Sequence, residues 1–102
     1  MMSKLLSKEA CGDVDLMRRV FLVVLEEKIK GFDGLIFITS ENETKRSFYT
    51  DRRQAWVNIH GRVRAGLKLA RNSEAGDLFA AVYQQMGFRS DYGMVSSFFL
   101  EG

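Results

Sequence analysis

Two rhythms of apolar positions run along the chain, one near 3.6 residues and one near 2, and they assign the elements. Over residues 14–30 the polar residues Asp15, Arg19, Glu26 and Lys30 share one narrow strip of a helical projection, and nearly everything else is apolar. Asp13 stands where an N-cap is needed, and Gly31 stands where a helix commonly ends. A helix so apolar around its circumference is buried on several sides or meets a second subunit. The valines within residues 20–25 leave a strand open as the alternative there.

Phe32-Asp33-Gly34 reads as a turn, and residues 35–39 then read as a buried strand. A polar loop over residues 40–43 leads to a second strand over 44–49, and so short a connection predicts an antiparallel hairpin. Asp51 with Gln54 three residues on resembles a capping box, opening a helix over 52–71 with Ala55, Trp56, Ile59, Val63, Leu67 and Ala70 on one face. Gly61 and Gly66 weaken that helix by about 1 kcal/mol each. The rival is a break at Gly61 and a strand over 62–69, where Val63, Ala65, Leu67 and Leu69 alternate with Arg62, Arg64, Gly66 and Lys68. The helix is preferred. Ser73 caps a further helix over 74–86 that buries Leu78, Phe79, Val82 and Met86, and Gly87 ends it. Residues 89–93 form a turn, and 94–100 close the chain as a strand.

The expected order is therefore α-β-β-α-α-β. That is an α+β fold, with a small antiparallel or mixed three-stranded sheet packed with helices. Residues 1–102 are expected to form a single domain, with 1–12 a flexible N-terminal segment.

Composition supports a packed core. Hydrophobic residues are 46% of the chain, and eight Phe, three Tyr and Trp56 supply large side chains to bury. Cys11 is the only cysteine, so no internal disulfide forms. Residues 1–10 lack the apolar run of a signal peptide, and the longest uninterrupted apolar run, residues 20–25, falls far short of the ~20 residues a membrane helix needs. The expected compartment is cytoplasmic, with no membrane partner.

Charge changes the picture more than composition does. The whole chain carries a net +2. Residues 45–71 hold Lys45, Arg46, Arg52, Arg53, Arg62, Arg64, Lys68 and Arg71 against Asp51 alone, a net +7, which leaves −5 on the rest. Such asymmetry points to an anionic partner. On a continuous 52–71 helix, Arg53, His60, Arg64, Lys68 and Arg71 would form one stripe beside the apolar face. On a strand, Arg62, Arg64 and Lys68 would still share a face. Guanidinium groups pair with phosphate or carboxylate through two hydrogen bonds, which suits such a stripe to an anionic surface. The partner-binding candidates are Lys45, Arg46, Arg53, His60, Arg62, Arg64, Lys68 and Arg71. The plainer reading is a solvated helix face partly neutralised by Glu26, Glu27 or Glu74.

No catalytic residue, cofactor or metal is assigned. With one His and one Cys there is no zinc-finger spacing, and the glycines stand singly rather than in a phosphate-binding loop. Ser96 and Ser97 have only His60 as a conventional base, and Asp13/Asp15 and Glu41/Glu43 read as cap and loop. Three functions follow in order. The first is a small non-enzymatic binding protein, regulatory or inhibitory, that docks another protein with an acidic face through the basic segment. The second is a nucleic-acid-binding protein using the same segment. The third is a phosphodiester-acting enzyme built from residues such as Arg53, Arg64, Glu41 and Tyr49. A homodimer is expected separately, because helix 14–30 and residues 94–100 offer more apolar surface than one small core absorbs.

Overall fold

The structure, a computed structural model, describes residues 12–86 and 92–102. It contains four helices: α1 (Val14–Ile38), α2 (Glu43–Arg64), α3 (Ser73–Met86) and α4 (Tyr92–Phe99). Among the described residues there is no sheet, and the one β-bridge, parallel, joins Leu69 to Leu100. The fold is all-α, and the α+β expectation with its three-stranded sheet is wrong. The flexible segment expected over 1–12 lies outside the described residues except for Gly12, as do Gly87 and residues 89–91 of the expected turn.

Each misassigned strand is a helix for a physical reason. α1 begins where expected: the Asp13 carboxylate accepts from the amides of Asp15 and Leu16, both at 3.1 Å. It does not stop at Gly31. The buried stripe of Met17, Val20, Phe21 and Val24 continues at three- and four-residue steps through Lys28, Gly31, Phe32, Leu35 and Ile38. That periodicity outweighs the roughly 1 kcal/mol a helical glycine costs. The supposed turn 32–34 and strand 35–39 are thus the last two turns of α1. The chain reverses over residues 39–42, and Asn42, not Asp51, caps α2 by accepting from the Lys45 amide at 3.1 Å. The supposed strand 44–49 is the start of α2, because Tyr49, Arg52, Trp56, Ile59 and Val63 form one continuous helical face. Gln54 closes no capping box; its side chain donates to Asn58 at 2.9 Å.

α2 ends at Arg64, short of the predicted end at 71 and past the rival break at Gly61. Gly66 has φ +77°, the Gly66 amide donates to the Val63 carbonyl at 3.1 Å, and the Leu67 amide donates to the Arg62 carbonyl at 2.9 Å. This pair of bonds is a Schellman motif, and it needs a residue that enters the left-handed region without strain. Beyond it residues 67–72 are neither helix nor strand apart from the bridge at Leu69, so Leu67 and Ala70 leave the helical face and are exposed. Asn72 caps α3 by accepting from the Ala75 amide at 2.9 Å, and Leu78, Phe79 and Val82 are buried as expected. The supposed closing strand is α4, where Val95 and Phe99, and Ser96 and Leu100, are buried four residues apart.

α1 and α2 form a long antiparallel hairpin with two different faces. One face is polar: Arg53 Nε donates to Asp33 Oδ1, and His60 Nε2 lies 3.6 Å from Glu26 Oε2. The opposite face is apolar, and α3 crosses it. At its start Glu74 Oε1 lies 3.8 Å from Arg52 on α2, and near its end Gln85 donates to Glu27 on α1 at 3.2 Å. Below that crossing α3 and α4 cover the apolar face and close the core. Phe21 stacks on Phe99 with centroids 4.4 Å apart and meets the edge of Phe79 at 5.1 Å. Above the crossing the hairpin projects without further cover, giving a molecule of 48 × 31 × 20 Å.

Candidate functional site

The basic segment divides once the chain is folded. Because α2 stops at Arg64, Lys68 and Arg71 do not share a stripe with Arg53 and His60. Arg53 and His60 lie on the polar face of the hairpin, each facing an α1 carboxylate. Of the acids named in the plainer reading, Glu74 lies 3.8 Å from Arg52, Glu26 lies beside His60 and Glu27 accepts from Gln85. Lys45 and Arg46 lie in the first turn of α2 at the far end of the hairpin, more than ten residues from Arg62.

Four of the candidates follow one another at the end of α2 and in the segment beyond it: Arg62, Arg64, Lys68 and Arg71, with Arg64 on the flank of α2 that carries Arg53 and His60 and Arg62 on the other. The chain holds two of them through carbonyl groups. Arg62 donates from Nε and a terminal nitrogen to the Lys68 carbonyl at 3.1 and 2.7 Å, and Arg71 Nε donates to the Glu101 carbonyl at 2.8 Å. These bonds pin residues 67–71 against α2 and the end of the chain, beside the backbone bonds Leu69 to Phe99 and Glu101 to Leu69. A carbonyl oxygen orients a guanidinium without cancelling its charge. The nearest carboxylate is Glu101, 3.9 Å from Arg62. Arg64 and Lys68 are exposed and make no ion pair or side-chain hydrogen bond among the described residues. Arg62 and Arg64 also sit in the last turn of α2, where positive charge complements the negative end of the helix dipole.

The patch is joined by features that the sequence did not single out. Arg18 of α1 reaches the same corner: one guanidinium nitrogen lies 3.8 Å from where a side chain on Gly66 would begin, and another donates to Asp15 at 2.9 Å. Leu67 stands half exposed between Arg64 and Lys68. A shallow cavity of about 340 Å³ lies alongside, lined by Ile59, Arg62, Leu69, Ala70, Asn72, Ala75 and Glu101. The signal for the corner was present in the sequence as Gly66, but only the left-handed turn it permits brings the Lys68 carbonyl back to Arg62.

The residues named for other chemistry are held apart or otherwise engaged. Arg53 and Arg64 are eleven residues apart on α2, about 16 Å along the axis, and Glu41 lies at the opposite end of the hairpin from Arg64. The Ser96 and Ser97 hydroxyls donate to the carbonyls of Gly93 and Met94 at 3.0 and 2.6 Å within α4. Asp13 is a cap, as read, whereas Glu43 is helical rather than part of a loop. Trp56 lies buried beneath Lys28, whose Nζ is 4.8 Å from the ring centroid, so it belongs to the core rather than to a binding surface. Among the described residues no group of three or more His, Cys, Asp or Glu side chains is placed to hold a metal, and no helix is long and apolar enough to cross a membrane. No protein-family model, curated protein or solved structure matches the chain.

Proposed function

We propose that the protein is a non-enzymatic binding protein that docks an acidic protein surface through the corner formed by Arg62, Arg64, Leu67, Lys68 and Arg71. The observation that carries this reading is the way Arg62 and Arg71 are fixed. Bonding to backbone carbonyls leaves two guanidinium charges oriented in advance, with Glu101 3.9 Å from Arg62. Charge of this kind steers association and sets orientation. The exposed Leu67, in the turn that follows α2, adds an apolar anchor of the sort protein interfaces use. A nucleic-acid surface would instead be served by exposed aromatic rings beside the cations, and among the described residues the exposed rings Phe37 and Phe48 lie at the other end of the molecule. A regulatory role and a cytoplasmic setting belong to the same proposal; the single cysteine favours the second.

Arg64 and Lys68 are the residues to change, because neither makes a bond the fold depends on. Capture of partners from the source cell with the wild-type protein and with the double variant Arg64→Glu, Lys68→Glu tests the reading. A partner retained by the wild type, weakened by salt and lost with the variant is the expected result. Equal capture by both sinks it. Anisotropy of labelled DNA and RNA oligonucleotides separates the classes: saturable binding that falls steeply between about 50 and 200 mM salt would put nucleic acid in first place.

A further inference from the structure

The apolar face of the hairpin does not end where its cover ends. α3 crosses from Arg52 to Glu27, and past that line the same stripe of α1 goes on as Gly31, Phe32, Leu35 and Ile38. Phe48 of α2 lies on the same side as Arg52 and Ile59, four and eleven residues further along that flank. Phe32 is partly covered, packing against Tyr49 with ring centroids 6.5 Å apart. Leu35, Ile38 and Phe48 are 38%, 77% and 59% exposed. Beside Leu35 a dent of about 200 Å³ is lined by Lys28, Gly31, Phe32 and Leu35, where Gly31 has no side chain to fill it. Three large exposed apolar groups on one side of the hairpin, with a socket at its base, form an unfinished helix-packing surface.

The charge around this surface says what fits it. Residues 28–51 carry Lys28, Lys30, Lys45 and Arg46 against Asp33, Glu41, Glu43 and Asp51, a net charge of zero. Residues 52–71 carry six basic residues and no acid. A polyanion or an acidic protein gains nothing at the neutral end. An identical surface meets no net repulsion there. The dimensions match as well. From Lys28 to the tip the bare stretch of α1 is about 15 Å long, and the partner's projecting end is the same length, so each tip fills the space up to the other's α3.

We propose that the projecting ends of two copies of this chain pack face to face, antiparallel about a two-fold axis, with Leu35, Ile38 and Phe48 buried between them. The result is a short four-helix arrangement in which each dent receives an apolar side chain of the other copy. Two helices wide and about 15 Å long, the contact covers about 300 Å² of each copy, an area typical of weak and reversible complexes. The two basic corners then lie at opposite ends of the pair, free to bind.

Sedimentation equilibrium of the whole chain across roughly 5 to 500 µM tests this directly. The expected mass rises with concentration toward twice the 11.7 kDa of one chain. Ile38→Glu and Phe48→Glu, both at exposed positions that the single chain tolerates, should each weaken the pairing by at least about tenfold. Phe37→Glu, on the far side of α1, should leave it unchanged. A mass of 11.7 kDa at every concentration, or pairing that survives both Ile38→Glu and Phe48→Glu, overturns the proposal. The Arg64→Glu, Lys68→Glu variant should pair normally, so loss of partner capture and loss of pairing are separate outcomes.

Discussion

The two halves of α1 are one helix in two environments. Up to Leu25 its apolar stripe is covered by α2, α3 and α4 and carries five buried residues; beyond Ile29 the same stripe runs on with α2 as its only cover. Both are rich in β-branched and aromatic residues, and only the projecting half carries glycines inside the helix, Gly31 and Gly34. What also differs is the partner. An amphipathic face is a demand for cover, and within one chain α3 and α4 are long enough to meet only half of it. The basic residues follow the same division, gathered on the packed half and balanced by acids on the projecting one.

The sharpest way to break this comparison is to cut one aromatic ring from each half. Phe21 is fully buried, stacked on Phe99 and edge-on to Phe79. Phe21→Ala should cost about 3–5 kcal/mol in urea denaturation, a large share of the whole stability of a domain this size. Phe37 is 81% exposed, and Phe37→Ala should stay within about 0.5 kcal/mol of the wild type. Similar losses from the two would mean that the projecting half is covered in the single chain and that the division is misdrawn.

A smaller and more discriminating effect comes from glycine. Gly66, at φ +77°, closes α2, and Gly66→Ala should destabilise by about 1–2 kcal/mol. Gly61 and Gly34 lie inside helices with nothing within 4 Å of an added methyl group. Gly61→Ala, in the packed half, should stabilise the protein by about 0.5–1 kcal/mol, raising the melting temperature by several degrees. Gly34→Ala stiffens the projecting half. It should act mainly by slowing amide exchange over residues 31–38, with a smaller effect on global melting. If Gly34→Ala and Gly61→Ala raise the melting temperature equally, the projecting half unfolds together with the core.

These glycines also mark what the sequence could and could not convey. The start of α1 at Asp13, the helical face of Trp56 and Val63, and the burial of Leu78, Phe79 and Val82 were legible, because each is a cap or a sustained 3.6-residue pattern. The strands were misread where short apolar runs, 35–38 and 98–100, satisfy either period and their neighbours decide. Gly31 was taken for a stop because glycine commonly is one, yet the stripe continues past it. The real stop, Gly66, was taken for a helical interior, since only the hydrogen bonds from Gly66 and Leu67 reveal the left-handed turn. The charge asymmetry was visible from composition. Its split into ion-paired, carbonyl-bound and free cations was not, because Asp33, Glu26 and Glu101 are distant in sequence.

The smallest effect lies at the crossing itself, where Glu74 joins α3 to Arg52. The Glu74 carboxyl is held below the ordinary carboxylate value, first by the Ser73 hydroxyl that donates to it at 2.9 Å and then by its own backbone amide; burial opposes them, and the Arg52 charge adds the smallest lowering effect. A carboxyl whose value is depressed on folding adds stability that is fully present above its unfolded value and is lost as pH falls through the folded one. Stability should therefore fall slightly on the acid side of about pH 4.5 and be flat in this respect toward neutrality. Glu74→Gln should lower stability at neutral pH and flatten the acid slope, measured as urea midpoints from about pH 3 to 7. Ser73→Ala should reduce the slope only in part, since the backbone amide and Arg52 remain. An unchanged slope in Glu74→Gln would mean that this contact does not hold α3 to the hairpin, and that the packing of Leu78, Phe79 and Val82 alone sets where the cover ends.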